Sequence, residues 1–321
     1  MNANINFSLR RYEEQDWDSV VQLYKKLIKH HGDVIYWWPG PKSVWDNVYC
    51  VFNNDSLIAK GQVEVINTVS EDYQEEANHL IYLNIKVDPD WENHNEVRDI
   101  LYERLLQRAT LLKEKLPSQF STKLCVGNYA TEVKENTYFE SRGFTHFESL
   151  YWMEFETNKE IAPTKFTLSG ATIKHWKMDT DEEEIKYLQA ENKIWPANPT
   201  SLGKLHGYKK QPNWTAITAF YNDEIIGSVL AWQETDTNIG TIEDIFVTPD
   251  WRKRGIASHL ITEGIRHLQN CNLERVQLLV ETRNESALKL YQSIGFEIRK
   301  EEKRLWINIL KDSVANDISG I

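Results

Sequence analysis

Two adjacent carboxylates, Glu243 and Asp244, precede a basic turn, Arg252-Lys253-Arg254-Gly255, and a tyrosine, Tyr291, follows further along the chain. A carboxylate accepts a proton or attracts an ammonium, and a phenol donates a proton to a developing anion. A cationic turn that opens a helix offers unpaired N–H groups and the positive end of the macrodipole, which suit a diphosphate. Gly255 lets such a group approach the backbone, because no side chain stands in the way. Two other clusters carry less chemistry. His30 and His31 are adjacent, so their side chains point in different directions, and no third ligand stands at a helpful spacing; they read as a solvated helix end. Cys50, Cys125 and Cys271 are far apart and lack C-x-x-C spacing, so they indicate neither a disulfide framework nor a zinc site.

The elements that must position these residues are legible around them. Thr241 to Val247 is a β-branched and apolar run stopped by Pro249, which predicts a strand. Ile256, Leu260, Ile261, Ile265 and Leu268 recur at helical spacing, so the basic turn opens an amphipathic helix. Val276 to Val280 predicts a further strand, and Asn284 is placed to cap the helix that carries Ala287 and Tyr291. Strand alternation sends Glu243 and Asp244 to opposite faces unless a bulge intervenes.

The run R-K-R-G-I-A, preceded by I-E-D-I-F-V-T-P and followed by N-E-S-A-L-K-L-Y-Q-S-I-G-F, resembles the acetyl-CoA signature of the GNAT N-acetyltransferase superfamily. Arg252, Gly255 and Ala257 fill the three marked positions of that signature, and the resemblance extends over residues 165–312. It implies an acyltransferase with acetyl-CoA as cosubstrate and no metal. It also implies a donor site built from Ile245, Phe246, Val247, Arg252, Lys253, Arg254, Gly255, Ile256, Ala257, Ser258, Asn284 and Ala287. By the same resemblance Tyr291 is the general acid for the CoA thiolate. Glu243 is the base, directly or through water, and Asp244 attracts the acceptor ammonium. The strands carrying Ile245 and Leu279 are then parallel neighbours that splay apart beyond those residues.

The whole chain sets limits on partners. Its 321 residues suffice for two domains with real cores. A net charge of −11 with scattered basic residues argues against nucleic acid and suits a cationic acceptor. No apolar run is long enough to span a bilayer and no apolar signal core opens the sequence, so the expectation is a cytoplasmic protein without a membrane partner. A monomer or a homodimer is expected.

Along the chain, residues 5–11 alternate as an opening strand, Asp16 is placed to cap the next helix, and the runs at 48–52 and 57–65 form a hairpin around N-N-D-S. After a strand at 79–87, V-D-P-D-W-E-N-H-N-E-V-R-D-I-L at 87–101 aligns without gaps on V-T-P-D-W-R-K-R-G-I-A-S-H-L-I at 247–261, and T-Y-F-E-S-R-G-F at 137–144 matches K-L-Y-Q-S-I-G-F at 289–296. The first half is therefore a second copy of the same fold. In it Glu92 replaces Arg252, Asn95 replaces Gly255, Val97 replaces Ala257 and Phe139 replaces Tyr291, so an acid faces the place of a diphosphate. The polar segment 154–165 reads as a linker. The expected organisation is a degenerate GNAT-like domain at 1–158 and a catalytic GNAT domain at 165–321, each a mixed, mostly antiparallel α/β sheet flanked by helices. Tandem GNAT proteins such as the mycothiol synthases resemble this layout. In the second half a strand at 171–175, a helix at 181–192, a Pro- and Gly-rich loop at 193–208 carrying Trp195 and Tyr208, and a hairpin at 214–233 precede the central strand. The leading function is acetyl transfer to the primary amine of a small molecule. A non-catalytic CoA sensor and transfer to a peptide or aminoacyl acceptor are the alternatives.

Overall fold

The computed structural model describes residues 7–69, 71, 77–161, 170–196 and 199–309. Two compact units share the chain: one comprises the segment up to Ser149 together with that from Glu302, the other Leu150–Glu301. No helix among the described residues is long and apolar enough to cross a membrane.

In the first unit, β1 (Phe7–Arg11) is followed by α1 (Trp17–His31), the antiparallel pair β2 (Val48–Asn53) and β3 (Ser56–Asn67), then β4 (Asn78–Val87) and α2 (Asn95–Lys113). Next come β5 (Ser121–Tyr129), parallel to β4, α3 (Val133–Ser141), and the start of β6 (Thr145–Glu156). The expected hairpin forms around Asn54, and Leu101 and Leu105 of α2 are fully buried in the core with Ile81, Leu83 and Leu124. Asp16 stands before α1 but makes no capping bond with its side chain. Arg10 holds both carboxylate oxygens at 2.7 and 2.6 Å, a bidentate ion pair that outcompetes the helix N–H groups.

The second unit contains β7 (Ala171–Trp176), α4 (Asp181–Asn192), α5 (Leu202–Lys209), β8 (Thr215–Tyr221), β9 (Glu224–Gln233) and β10 (Ile239–Val247). These lead to α6 (Ile256–Asn270), β11 (Arg275–Glu281), α7 (Glu285–Ile294) and β12 (Glu297–Asn308). β7, β8, β9 and β10 pair antiparallel in that order, β10 pairs parallel with β11, and β11 pairs antiparallel with Leu150–Glu156 of β6. The helix spacing of the sequence becomes a buried stripe: Leu260, Ile261, Ile265 and Leu268 are fully buried against the sheet. Each such side chain contributes about 1.5–3 kcal/mol by leaving water.

Two boundaries differ from expectation. Glu154–Glu156, read as linker, continues β6, with Met153 and Phe155 buried and Glu154 and Glu156 more exposed; the polar residues are the outward half of a period-2 strand. The remainder of that linker at 162–165, and with it the expected start of the second domain, lies outside the described residues, as do Ile5 and Asn6. The stretch 193–208 is not all loop. Ser201 accepts a bond from the Lys204 N–H and starts α5, so its two glycines sit inside a short helix. Late in the chain, Glu302–Asn308 of β12 pairs with β5 and belongs to the first unit, so the units are not consecutive segments.

Candidate active site

The centre of the second unit is a defect in β10. Its register with β9 runs to Glu243 opposite Leu230 and resumes at Phe246 opposite Ser228, and Asp244 between them has φ +55°. A β-bulge of this kind turns the chain and leaves the extra residues outside the ladder. On the other side, the parallel pairing with β11 ends at Thr241 and Gln277, so β10 and β11 part before Ile245 and Leu279 are reached. The splay therefore begins earlier than the sequence implied, because the bulge carries β10 away. Gly227 makes the approach possible: a Cβ there would stand 2.9 Å from the Phe246 carbonyl oxygen.

The bulge also decides where the carboxylates go. Instead of pointing to opposite faces, both reach tyrosines on the helices that pack beside the strand. Tyr208 of α5 donates to Glu243 Oε1 at 2.6 Å, and Tyr187 of α4 donates to Asp244. Burial pushes the Asp244 carboxyl up to about 6, with buried Glu191 and nearby Glu243 acting in the same direction; the Tyr187 hydroxyl and the Lys204 ammonium oppose the shift. Glu243 is exposed, with Lys204 Nζ at 3.8 Å. Glu191 accepts the Thr200 N–H with both oxygens, at 3.0 and 3.1 Å, and Trp195 meets Phe246 edge to face at 6.0 Å. Tyr208 stacks on Trp232 at 4.6 Å.

At the far end of β10 a turn at Pro249–Trp251 leads into the basic turn. Lys253 and Gly255 both have positive φ, +60° and +79°, and Gly255 is the N-cap of α6 with no side chain to bond the first-turn N–H groups. Those of Ile256, Ala257 and Ser258 have no intrahelical acceptor. A cavity of about 200 Å³ opens on this turn, lined by Val247, Arg252, Lys253, Gly255, Ile256, Ala257 and Ser258 together with Trp251 and Leu290. Arg252 is steadied by a bond from Nε to the Val247 carbonyl at 3.1 Å.

Other expected residues stand apart from this cavity. Arg254 lies over the Trp251 ring at 4.9 Å and donates to the Asp250 carbonyl, so its charge supports the turn without lining the cavity. Phe246 is buried in the core beside Tyr187 and can offer only its backbone; Ile245 is half-buried on the bulge. Asn284 caps α7 by accepting the Ala287 N–H at 3.2 Å, which ties Asn284 and Ala287 to the helix start beneath Tyr291. Burial raises the Tyr291 hydroxyl to about 12, so the phenol keeps its proton at any neutral pH. That hydroxyl has no hydrogen-bond partner among the described residues and is not sealed from solvent. Sequence reasoning missed Tyr187 and Glu191. The signal was present in their spacing: both lie on α4 one turn apart, a polar pair on the buried face of an otherwise acidic helix.

The sequence model of the acetyltransferase (GNAT) family matches residues 176–296, which hold the bulged strand, the glycine turn and α7. Over that segment the sequence is that of the acetyltransferase (GNAT) family. The chain is 31% identical over 101 residues to an uncharacterized N-acetyltransferase of Methanocaldococcus jannaschii, a match that covers 29% of this chain and 44% of that protein. It is 24% identical over 204 residues to a mycothiol acetyltransferase of Saccharopolyspora erythraea, covering 61% of this chain and 66% of the relative. The chain thus spans less than two thirds of the length of these relatives. In fold it is similar to a tandem GNAT protein from the clavulanic acid biosynthesis pathway, with a TM-score of 0.65 at 9% identity over 95% of this chain and 99% of the other.

The first GNAT-like unit has the same turn in altered form. Where the second unit has Ser258 and Ala287, the aligned residues are Arg98 and Glu135. The Arg98 guanidinium is buried, donating to the Glu92 carbonyl at 2.5 Å and to Glu135 Oε1 at 2.8 Å. Its positive charge is paired within the turn.

Proposed function

We propose that the second unit transfers an acetyl group from acetyl-CoA to the primary amine of a small molecule, by direct attack with both substrates bound. The observation that carries this reading is the cavity on the Gly255 turn, at one end of a bulged strand that also carries the desolvated carboxylate Asp244. The cavity fits the expected cosubstrate because the glycine adds no side chain to its wall and the first-turn N–H groups of α6 are left without a side-chain cap, as an anion site requires. Bound acetyl-CoA would supply the activated acetyl group.

The roles of this chain's residues follow from their surroundings. Arg252 and Lys253, with the N–H groups of Ile256 to Ser258, hold the diphosphate. Backbone amides of Ile245 to Val247, which lie beyond the last β10–β11 pair at Thr241, orient the pantetheine arm and the thioester carbonyl. We assign the two carboxylates the opposite way round from the sequence expectation. Glu243, exposed and bonded to Tyr208, gathers the incoming ammonium. Asp244, raised toward 6, is the better proton acceptor, because a stronger base loses less in the transfer. The ammonium first gives one proton to Asp244, which frees the nitrogen lone pair to attack. As the N–C bond forms and the C–S bond breaks, Tyr291 donates its proton to the departing thiolate, the second nitrogen proton returns through water to the Tyr291 oxygen, and Asp244 releases its proton to solvent.

Release of CoA thiol, followed across a panel of diamines, amino sugars, amino acids and peptides, tests the proposal. The expected result is turnover with small cationic amines that vanishes on omission of the amine. Tight acetyl-CoA binding without thiol release from any acceptor would favour a CoA sensor, and turnover confined to peptides would reassign the acceptor.

A further inference from the structure

We propose that the first unit carries a site for a first-row divalent cation of the zinc class, formed by His30, His31 and Glu92. The sequence offers two adjacent histidines and no third ligand at useful spacing. The fold supplies one: the turn before α2 brings Glu92 to the end of α1, with Oε1 at 3.8 Å from His30 Nε2 and Oε2 at 3.6 Å from His31 Nε2. One ligand atom from each of the three lies within 4.8 Å of the other two. Nitrogen and oxygen ligands at about 2.1 Å from a tetrahedral cation stand about 3.4 Å apart, so small side-chain rotations close the set. Two imidazoles and a carboxylate leave a fourth position for water, the donor set of an open zinc site.

Three independent features agree with a cation. The histidines end α1, where the last carbonyls and the negative end of the macrodipole favour positive charge. Glu92 stands at the position aligned with Arg252, so the turn that offers a cation to an anion in the second unit offers an anion here. His30 is half exposed while His31 and Glu92 are mostly covered, which leaves the site open on one side for metal entry. One group competes. Lys134 pairs with Glu92 and donates to Asn93 Oδ1 at 2.9 Å, so its ammonium must release or share the carboxylate when the cation enters. This site is independent of acetyl transfer in the second unit.

The test uses the full chain, stripped with chelator and titrated with Zn²⁺ by calorimetry, with Co²⁺ absorption as a second readout. One ion per chain is expected, weakened at least tenfold in His31→Ala and in Glu92→Gln, and tightened several-fold in Lys134→Met, where the competing charge is gone. Co²⁺ should give the bands of a nitrogen and oxygen site without thiolate charge transfer. Zn²⁺ affinity unchanged in the His30→Ala/His31→Ala double variant would overturn the proposal, as would a thiolate band, which would point to a cysteine. The tightening by Lys134→Met cannot arise from misfolding, and its absence with no loss in the other variants would also refute the site.

Discussion

Asp244 is the side chain on which the proposed chemistry of the second unit turns: it is held at φ +55°, largely removed from water and bonded to a buried tyrosine. Its raised carboxyl predicts that kcat/KM for the amine falls on the acid side with a midpoint near pH 6. Tyr187→Phe removes the bond that favours the charged form, so the midpoint should move to higher pH. A midpoint unmoved in that variant would mean that another group sets the limb. The same shift has a stability consequence of definite sign. The folded chain holds this proton more tightly than the unfolded chain, whose ordinary value is 3.8, so stability is lost as pH rises from that value through about 6. Asp244→Asn should therefore melt above the parent at pH 7, by a difference on the order of 3 kcal/mol at most, and converge with it near pH 4, while turnover collapses. Melting curves at the two pH values check this. Tyr291→Phe should lower kcat by about a hundredfold and leave acetyl-CoA affinity nearly intact, since the donor acts on the leaving group alone. The identity of both carboxylates was legible from their place before the glycine turn. The different surroundings on which their proposed division of labour rests were not, because Tyr187 and Glu191 come from a helix far away in sequence.

Strand β10, the turn after it and helix α6 form the element that makes the site. The sequence carried its outline well: Pro249 stops the strand, Gly255 opens the helix, and the apolar stripe from Ile256 to Leu268 is the buried face. What it did not carry was the bulge. No residue between Glu243 and Phe246 is a glycine or proline, and the distortion is made by packing, with Gly227 on β9 leaving room for the displaced carbonyl. Gly227→Ala should thus push against Phe246 and Val247 and weaken acetyl-CoA binding without touching any ligand, which a calorimetric comparison with the parent would reveal. Helix α5 was also hidden, since its two glycines read as loop residues until Ser201 is seen to cap it. Its contribution is Tyr208, which reaches Glu243 from the stack on Trp232.

Across the whole chain, duplication explains how one sequence contains two versions of one turn with opposite charge. The gapless repeat around P-D-W made the second copy visible in the sequence, and Glu92, Asn95 and Phe139 stand there in place of Arg252, Gly255 and Tyr291. The Arg98–Glu135 pair that fills the altered turn lies on two helices and required the fold to be seen. The division of the chain was less legible, because Glu302–Asn308 returns to pair with β5 and no composition shift marks that return. Titration of the full chain with acetyl-CoA by calorimetry bears most directly on the Gly255 turn as the donor site. One molecule should bind per chain, with affinity reduced at least tenfold in Arg252→Glu and unchanged in Glu92→Gln. A stoichiometry of two, or binding indifferent to Arg252→Glu, would contradict it.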